Sequence, residues 1–265
     1  MQKPIYLVIT ELFPTSDSFR GPYVYDQVRA IEKDGRYEVV VLRPTSWLHK
    51  EKNYEYNGIK VYRFTHYDLP SDMWPGSNTW LSLRAMDKCL KYLGIAYNDI
   101  AVVHAHVSNN ARFANHVKCQ NAECLTVLQH HGYDVLGLSL GRFSTKEWHR
   151  KRALRYGVRE CNKIDLHVGV SKEILRYLEN NEGIKLNGKY VLYNGVDTDK
   201  FFKKSLRLSS KNKTFTIGCV ANFWELKDQI TLIKAVEILV ESDCINIKVK
   251  FVGTGYTRED CEQYI

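Results

Sequence analysis

Two neighbouring segments of the sequence carry histidines that could hydrogen-bond a substrate or transfer a proton near neutral pH. His106 ends one short apolar run, His130 ends the next, and His131 follows it. Because adjacent strand residues face opposite sides of a sheet, only one of His130 and His131 can point into a given cleft. The ordinary alternative is a histidine that satisfies loop carbonyls. A metal site would lack a carboxylate or a third ligand at suitable spacing.

A lysine stands at the start of a later predicted helix. Asp228 suits the N-cap position of that helix, so Lys227 would lie beside its free amides and the positive end of its dipole. This arrangement suits a pyrophosphate. Asn222 belongs to the same strand-to-helix loop. The ordinary alternative is a solvated lysine in front of a helix.

Two further loops contain residues with special backbone properties. Gly21 allows close backbone approach and Pro22 suits a helix start, so the amides that follow could receive an anion or a sugar hydroxyl. Asn194 and Gly195 permit positive φ and a sharp turn. Each loop has a purely structural alternative, which is an ordinary strand-to-helix connection in the first case and a turn in the second.

Short apolar runs alternate with helix-length amphipathic stretches, and these elements must position the loops. Most runs are apolar throughout, as expected for parallel strands covered on both faces. The alternation predicts a doubly wound α/β sheet, in which ligands bind beyond the carboxyl ends of the strands. The predicted strands are Ile5–Thr10, Tyr37–Leu42, Ile59–Phe64, Val102–His106, Leu125–His130, Leu166–Val170, Tyr190–Tyr193, Phe215–Val220 and Ile247–Val252. Helical spacing links Val24, Val28 and Ile31, and likewise Leu175 and Leu178.

A polar, basic segment without apolar periodicity interrupts this rhythm. It predicts an interdomain linker at 204–213, between a Rossmann-like domain at 1–203 and a second domain at 214–265. The second stretch supplies about two strands and one complete helix, too few for a doubly wound sheet. We therefore expect a partial second domain with an uncovered sheet edge.

The composition of the chain favours some classes of function and excludes others. The chain of 265 residues has a formal net charge of +8, which favours acidic partners such as nucleic acid, anionic lipid or phosphorylated small molecules. It shows no zinc-finger or aromatic RNA-binding motif, so we expect no nucleic-acid partner. Seven cysteines without paired spacing predict reduced thiols in a cytoplasmic protein. We expect neither a signal peptide nor a membrane span.

One predicted helix has a basic face, formed by Arg152, Arg155, Arg159 and Lys163. Its opposite face is apolar and consists of Leu154, Val158 and Cys161. The basic face either docks on an anionic membrane surface or is a solvated outer face, and we favour the second interpretation.

Seven segments, taken in order, resemble the motifs of glycosyltransferase family 4, the retaining enzymes of the GT-B type. They are Arg20-Gly21-Pro22, His104-Ala105-His106, His131-Gly132-Tyr133-Asp134, Val170-Ser171, Asn194-Gly195-Val196-Asp197 through Phe201, Val220 to Lys227, and Val252-Gly253-Thr254-Gly255. The resemblance implies a GT-B fold with a complete N-terminal Rossmann-like domain and a partial C-terminal one. The paired glutamates that hold the nucleotide ribose in the family would lie beyond Ile265.

The resemblance also implies residue roles. Lys227, Asn222 and Gly21 would contact the donor diphosphate, and His131 would be the catalytic residue beside the donor sugar. The cleft for sugar and acceptor would be lined by Asp134, Asn194, Gly195, Ser171 and His106. Many family members carry arginine where this chain has Asn222, so one charged phosphate contact is missing or supplied elsewhere.

The implied reaction moves a hexosyl group from a nucleoside diphosphate sugar to an acceptor hydroxyl with retention, without a cofactor or an obligatory metal. A lipid-linked or other saccharide acceptor would fit a basic cytoplasmic protein at the inner face of the membrane, in surface polysaccharide, lipopolysaccharide or glycolipid biosynthesis. One alternative is a GT-B sugar-nucleotide epimerase, against which Asn194–Asp197 and Phe201 argue. The other is a non-catalytic binding module or partner-completed subunit, which would not need the loop that ends at Lys227.

Overall fold

The computed structural model describes residues 3–49, 51–67, 76–132, 147–181, 183–202, 214–242 and 246–265. These residues fall into two compact units, Met1–Asp197 and Thr198–Ile265. The predicted linker at 204–213 and the predicted cleft residue Asp134 lie outside the described residues.

The first unit contains one eight-stranded sheet. Its strands are β1 (Ile5–Ile9), β2 (Glu38–Ser46), β3 (Tyr54–Tyr56), β4 (Ile59–His66), β5 (Ile100–His106), β6 (Leu125–His130), β7 (Leu166–Gly169) and β8 (Lys189–Val191). Their order is β3-β4-β2-β1-β5-β6-β7-β8, and every neighbouring pair is parallel except β3 and β4. The parallel sheet confirms the expected α/β architecture.

The apolar strands pack against helices on both faces of this sheet. Helix α1 (Pro22–Asp34) buries Val24 and Val28 in a cluster with Val8 and Val41. The larger cluster lies on the opposite face, where strand residues such as Leu7 meet the remaining helices. These helices are α2 (Thr79–Tyr92), α3 (Ala111–Gln120), α4 (Glu147–Cys161) and α5 (Lys172–Asn181). Leu175 and Leu178 of α5 are buried, as their spacing predicts.

The second unit contains β9 (Phe215–Val220), α6 (Gln229–Glu241), β10 (Ile247–Val252) and α7 (Arg258–Tyr264). The two strands are parallel, and their bounds agree with the sequence prediction. The strand pairing continues past the strand ends, because Ala221 N donates to Val252 O at 3.0 Å and Phe223 N donates to Thr254 O at 2.9 Å. The loops after β9 and β10 are therefore held side by side.

The basic helix of the sequence is α4. Arg152, Arg155 and Arg159 are exposed along it. Its Leu154 and Val158 pack against the larger core cluster, and Cys161 is fully buried. The predicted division into a basic outer face and an apolar inner face is confirmed for the helical residues, but Lys163 lies beyond the helix end at Cys161.

Across the described ranges, no helix combines the length and apolar character needed to cross a membrane. No disulfide joins any of the six cysteines that the described residues include.

Candidate functional site

The candidate residues of the first unit follow the carboxyl ends of strands that are neighbours in the sheet. The loop with Gly21 follows β1, His106 ends β5, His131 follows β6 and Ser171 follows β7. Because these strands are parallel and adjacent, their carboxyl ends share one edge of the sheet. The topology therefore gathers four of the predicted positions at that edge.

Gly21 forms the start of α1 in a conformation that other residues rarely adopt. Its φ is 77°, and its carbonyl oxygen accepts hydrogen bonds from Val24 N at 3.0 Å and from Tyr25 N at 3.3 Å. A Cβ at this position would lie 2.3 Å from the carbonyl oxygen of Leu12. The loop after β1 thus folds back onto the helix start, and only glycine fits between them.

His131 is in contact with the start of α1 and with the end of β5. Its Nε2 lies 3.0 Å from Nδ1 of His106, and the two rings are stacked with centroids 5.3 Å apart. The ring of Tyr23, in the first turn of α1, lies 4.7 Å from that of His131. Three of the loops that the sequence singled out therefore meet at His131.

A row of polar side chains extends inward from His106 along one face of the sheet. The rings of His104 and His106 are stacked at 4.4 Å, as expected for residues two apart on a strand. Nδ1 of His104 lies 2.9 Å from the hydroxyl of Tyr6 on β1. Burial raises the pKa of Tyr6, so its hydroxyl stays protonated. Sequence reasoning did not include Tyr6 in the site.

Gln129 also belongs to this row and was missed. It pairs with His106 in the sheet register, so both side chains lie on the same face. Its side chain is fully buried next to that of His104, whose pKa it raises against the effect of burial. The spacing of Gln129 two residues before His131 is the sequence signal that could have identified it.

His130 points to the opposite face, which confirms that only one residue of the His130-His131 pair enters the site. Nε2 of His130 lies 3.0 Å from Nδ1 of His167 on β7, and the rings are stacked at 5.3 Å. Nε2 of His167 lies 3.2 Å from the carbonyl oxygen of Cys161 in α4. This second pair packs among the helices and not at the candidate site.

Burial holds His104, His106 and His167 in the neutral form. Desolvation, reinforced by the neighbouring His131, lowers the pKa of His104 to about 4. Desolvation and then His104 and His131 lower the pKa of His106 well below its usual value. Desolvation and His130 lower the pKa of His167 to about 3. Each imidazole therefore exchanges hydrogen bonds as a neutral ring, with one donor and one acceptor nitrogen.

The free energy of unfolding is expected to fall as the pH falls from 7 to 5. In this range the unfolded chain protonates His104 near its usual pKa of about 6.5, whereas the folded chain does not, so acid favours the unfolded state. His104 alone contributes a fall of about 2 kcal/mol over this interval. Urea denaturation at both pH values measures it. His104→Gln should show a smaller fall, and equal stabilities of the native protein at both pH values would contradict this account.

Ser171 has a clear structural role. Its hydroxyl oxygen accepts a hydrogen bond from Ile174 N at 3.3 Å, immediately before α5 begins at Lys172. This is the N-cap contact that serine commonly makes. The same hydroxyl also donates a hydrogen bond to the Glu173 side chain, so both of its bonds serve the start of the helix.

The turn expected at Asn194-Gly195 is not observed, so that prediction was wrong. Neither residue has positive φ, and the turn of this segment falls at 198–200. β8 already ends at Val191, and the last bond towards β7 is from Leu192 N to Gly169 O at 3.0 Å. The chain thus leaves the sheet in an irregular, exposed path, so both residues are accessible and neither is required for a turn.

The predicted phosphate loop lies in the second unit and has the expected geometry. Asp228 caps α6 by accepting a hydrogen bond from Thr231 N at 3.3 Å. Lys227, one residue earlier, is exposed and ends a short 3-10 helix. Since the Asp228 carboxylate occupies this helix end, Lys227 supplies the positive charge that an incoming anion would need.

The rest of this loop is fixed from two sides. Nε2 of the buried Gln229 donates to the carbonyl oxygen of Asn222 at 2.9 Å. On the other side, Thr257 N donates to the carbonyl oxygen of Phe223 at 3.3 Å. Asn222 itself is exposed, so its side chain is accessible as predicted. The loop is therefore held in one conformation before any ligand binds.

Each α/β unit has its candidate loops at the carboxyl ends of parallel strands, as in the GT-B class of glycosyltransferases. The model of glycosyltransferase family 4 matches residues 21–200, more than half of the sequence. The chain belongs to glycosyltransferase family 4.

Solved structures with the same fold are GT-B enzymes of low sequence identity. The catalytic domain of starch synthase IV from Arabidopsis thaliana, bound to ADP and acarbose, matches with a TM-score of 0.58 and 12% identity, covering 100% of this chain and 71% of that one. Sucrose-phosphate synthase from Thermosynechococcus elongatus matches with a TM-score of 0.56 and 13% identity, covering 95% of this chain and 71% of that one. An α,α-trehalose-phosphate synthase from Burkholderia xenovorans, in complex with glucose-6-phosphate, matches with a TM-score of 0.57 and 12% identity. The match covers 96% of this chain and 66% of that one.

Comparison with curated protein sequences gave no match. Within the described ranges, no group of three or more histidine, cysteine, aspartate or glutamate side chains is arranged to hold a metal ion.

Proposed function

We propose that the protein transfers a hexosyl group from a nucleoside diphosphate sugar to an acceptor hydroxyl with retention of the anomeric configuration. The observation that carries the proposal is the position of the exposed Lys227 directly before the capped N-terminus of α6. Membership of family 4 supports the transferase reaction, and the family's retaining enzymes support the stereochemistry.

The candidate site residues have two roles: some contact the leaving diphosphate of the donor, and others contact the donor sugar and the acceptor. When the bond between the sugar C1 and the diphosphate oxygen breaks, negative charge grows on the leaving diphosphate. Lys227 offsets that charge, with Asn222 and Gly21 as further phosphate contacts. His131 acts at the donor sugar. The cleft for sugar and acceptor includes His106, Asp134, Ser171, Asn194 and Gly195. This division requires no cofactor and no obligatory metal.

The ligands of related folds support this assignment. The starch synthase binds ADP together with acarbose, and the trehalose-phosphate synthase binds glucose-6-phosphate. For this chain we propose a nucleotide sugar as donor and a lipid-linked or other saccharide as acceptor, in surface polysaccharide, lipopolysaccharide or glycolipid biosynthesis. We further propose a cytoplasmic protein at the inner face of the membrane, where the exposed arginines of α4 would meet anionic headgroups in place of solvent.

Proton NMR of the product anomeric signal tests the reaction and its stereochemistry together. The protein is incubated with ADP-, UDP- or GDP-hexoses and saccharide acceptors, with and without anionic vesicles that carry lipid-linked saccharide. We expect a glycoside with the donor's anomeric configuration, formed equally in the presence of EDTA because positive charge comes from the protein. An inverted product would contradict retention, and loss of turnover in EDTA would contradict the metal-independent reaction.

A further inference from the structure

Helix α2 carries a ridge of basic and aromatic side chains on its solvent side. Trp80, Arg84, Lys88 and Tyr92 recur every four residues, and all four are exposed. Side chains at this spacing form one ridge along a helix, here over about 18 Å from the first to the last. Trp80 is 52% exposed and Tyr92 is 80% exposed. The ridge therefore places two accessible rings on either side of two cations.

A groove of about 580 Å³ runs beside this ridge, between α2 and β4. From the strand side, Arg63 and Thr65 of β4 line it, together with Asn53 just before β3. β3 pairs with β4 only as far as Val61, so within the described residues the later part of β4 has no strand on this side. A cleft of this volume is large enough for a small-molecule ligand.

Arg63 is fixed in the wall of the groove. Its guanidinium lies over the ring of Tyr54, 4.7 Å from the ring centre, and pairs with the carboxylate of Glu51. Its main-chain nitrogen donates to Oδ1 of Asn53 at 2.8 Å. The Arg63 side chain is 12% exposed, so it is recessed, and its charge is already balanced by Glu51.

Arg84 and Lys88, in contrast, keep their charge available. Across the described ranges neither forms an ion pair, because Asp87, the acid between them, pairs instead with Nε2 of His116 at 2.8 Å. The groove lining that the structure describes contains no aspartate or glutamate. The Arg84 guanidinium lies 4.8 Å from the ring centre of Trp80, a contact that holds both side chains beside the groove. The groove is thus positively charged and has an aromatic rim.

We propose that this groove binds an acidic oligosaccharide, as the part of the acceptor chain that is remote from the transferred sugar. The apolar C–H face of a sugar ring stacks on an exposed aromatic ring, which Trp80 and Tyr92 supply. Carboxylate or phosphate groups on the chain receive charge-assisted hydrogen bonds from Arg84 and Lys88. Only the identification of this ligand as the acceptor rests on the proposed function.

The position of the groove suits a chain that extends towards the candidate loops. α2 begins at the carboxyl edge of the sheet, where Tyr67 N, just past the end of β4, donates to Oγ of Ser82 at 2.9 Å. A saccharide bound along α2 therefore has one end at the edge that carries those loops. A bilayer surface would meet the protruding ridge but not the recessed Arg63 or Thr65, so the shape favours a single chain over a membrane.

Calorimetric titration of the full chain tests the proposal without any donor. The probes are a galacturonic acid tetrasaccharide, a phosphate-substituted mannose tetrasaccharide, uncharged maltotetraose, and phosphatidylglycerol vesicles. We expect at least one acidic tetrasaccharide to bind about 10-fold or more tightly than maltotetraose. Lys88→Ala should weaken that binding by about 10-fold, as expected for the loss of one charge-assisted hydrogen bond.

Two matched controls come from the same surface of the molecule. Lys91 is exposed on α2 but does not line the groove, so Lys91→Ala makes the same change in charge and should bind as the native protein does. Trp80→Ala should weaken binding, whereas Trp148→Ala should not, although Trp148 is 51% exposed at the start of α4.

Three results would overturn the proposal. They are no binding of either acidic tetrasaccharide, equal losses in Lys88→Ala and Lys91→Ala, and vesicle binding that Lys88→Ala abolishes while no tetrasaccharide binds, which would assign the ridge to a membrane. Failure to find any donor would contradict the proposed function, but the titrations would still decide whether the groove binds an acidic oligosaccharide.

Discussion

Replacing Lys227 with alanine is expected to weaken the binding of the donor nucleoside diphosphate by about 10- to 100-fold, corresponding to the loss of one charge-assisted hydrogen bond worth about 1.5–3 kcal/mol. Lys227 is exposed and precedes the start of α6, where the Asp228 carboxylate is the cap. Without the lysine, that carboxylate would repel a diphosphate. Calorimetric titration with ADP, UDP and GDP measures the effect.

Lys234→Ala provides the matched control for this prediction. Lys234 lies on the same helix, is exposed, and contacts the ring of Tyr264 at 5.6 Å, away from the first turn. The control makes the same change in net charge, so it should bind the diphosphate nearly as the native protein does. Equal losses in both variants would show that only long-range charge matters and would contradict a specific phosphate contact at Lys227.

Replacing Gly255 with alanine is expected to destabilise the second unit by about 3 kcal/mol or more, because a strained backbone conformation alone costs about 1–3 kcal/mol and a clash adds to it. Gly255 has a φ of 154°, and a Cβ there would lie 2.1 Å from the carbonyl oxygen of Phe223. This close approach holds the phosphate loop against the loop after β10. Hydrogen exchange of the amides of β9 and β10 reports the loss of stability.

Gly218→Ala is the control for this effect. Gly218 lies within β9, has no positive φ, and leaves open space where a Cβ would be. We expect native exchange rates in the first unit for both variants and faster exchange in β9 and β10 only for Gly255→Ala. Unchanged exchange in Gly255→Ala would mean that the two loops can separate freely, which contradicts a preformed phosphate loop.

The sequence predicted the strands well where apolar runs were long and continuous. The bounds of β6, β9 and β10 agree with the prediction. The missed strand was β3, whose three residues pair antiparallel with β4 at the sheet edge. Asn57 and Gly58, with φ of 46° and 87°, form the hairpin turn that joins them. This Asn-Gly pair was the available signal, because it favours a two-residue hairpin.

The sequence predicted only those features of the candidate site that depend on residues close together in the chain. The alternation of strand residues separates His130 from His131, and the N-cap preference of aspartate locates Lys227 at a helix start. The contact of Tyr6 with His104 joins residues 98 positions apart, so it depends on β1 lying beside β5 in the sheet. The capping role of Ser171 and the irregular path at Asn194 likewise depend on where β7 and β8 end.

The central claim is the transfer of a sugar from a nucleoside diphosphate donor, and the most direct test is acceptor-dependent release of the nucleoside diphosphate. The native protein, Lys227→Ala and Lys234→Ala are each mixed with a panel of sugar nucleotides, with and without saccharide acceptors. We predict release by the native protein and by Lys234→Ala that depends on the acceptor, and release at least about 10-fold slower by Lys227→Ala. Absence of release with every donor, or equal release by all three proteins, would contradict the proposed reaction.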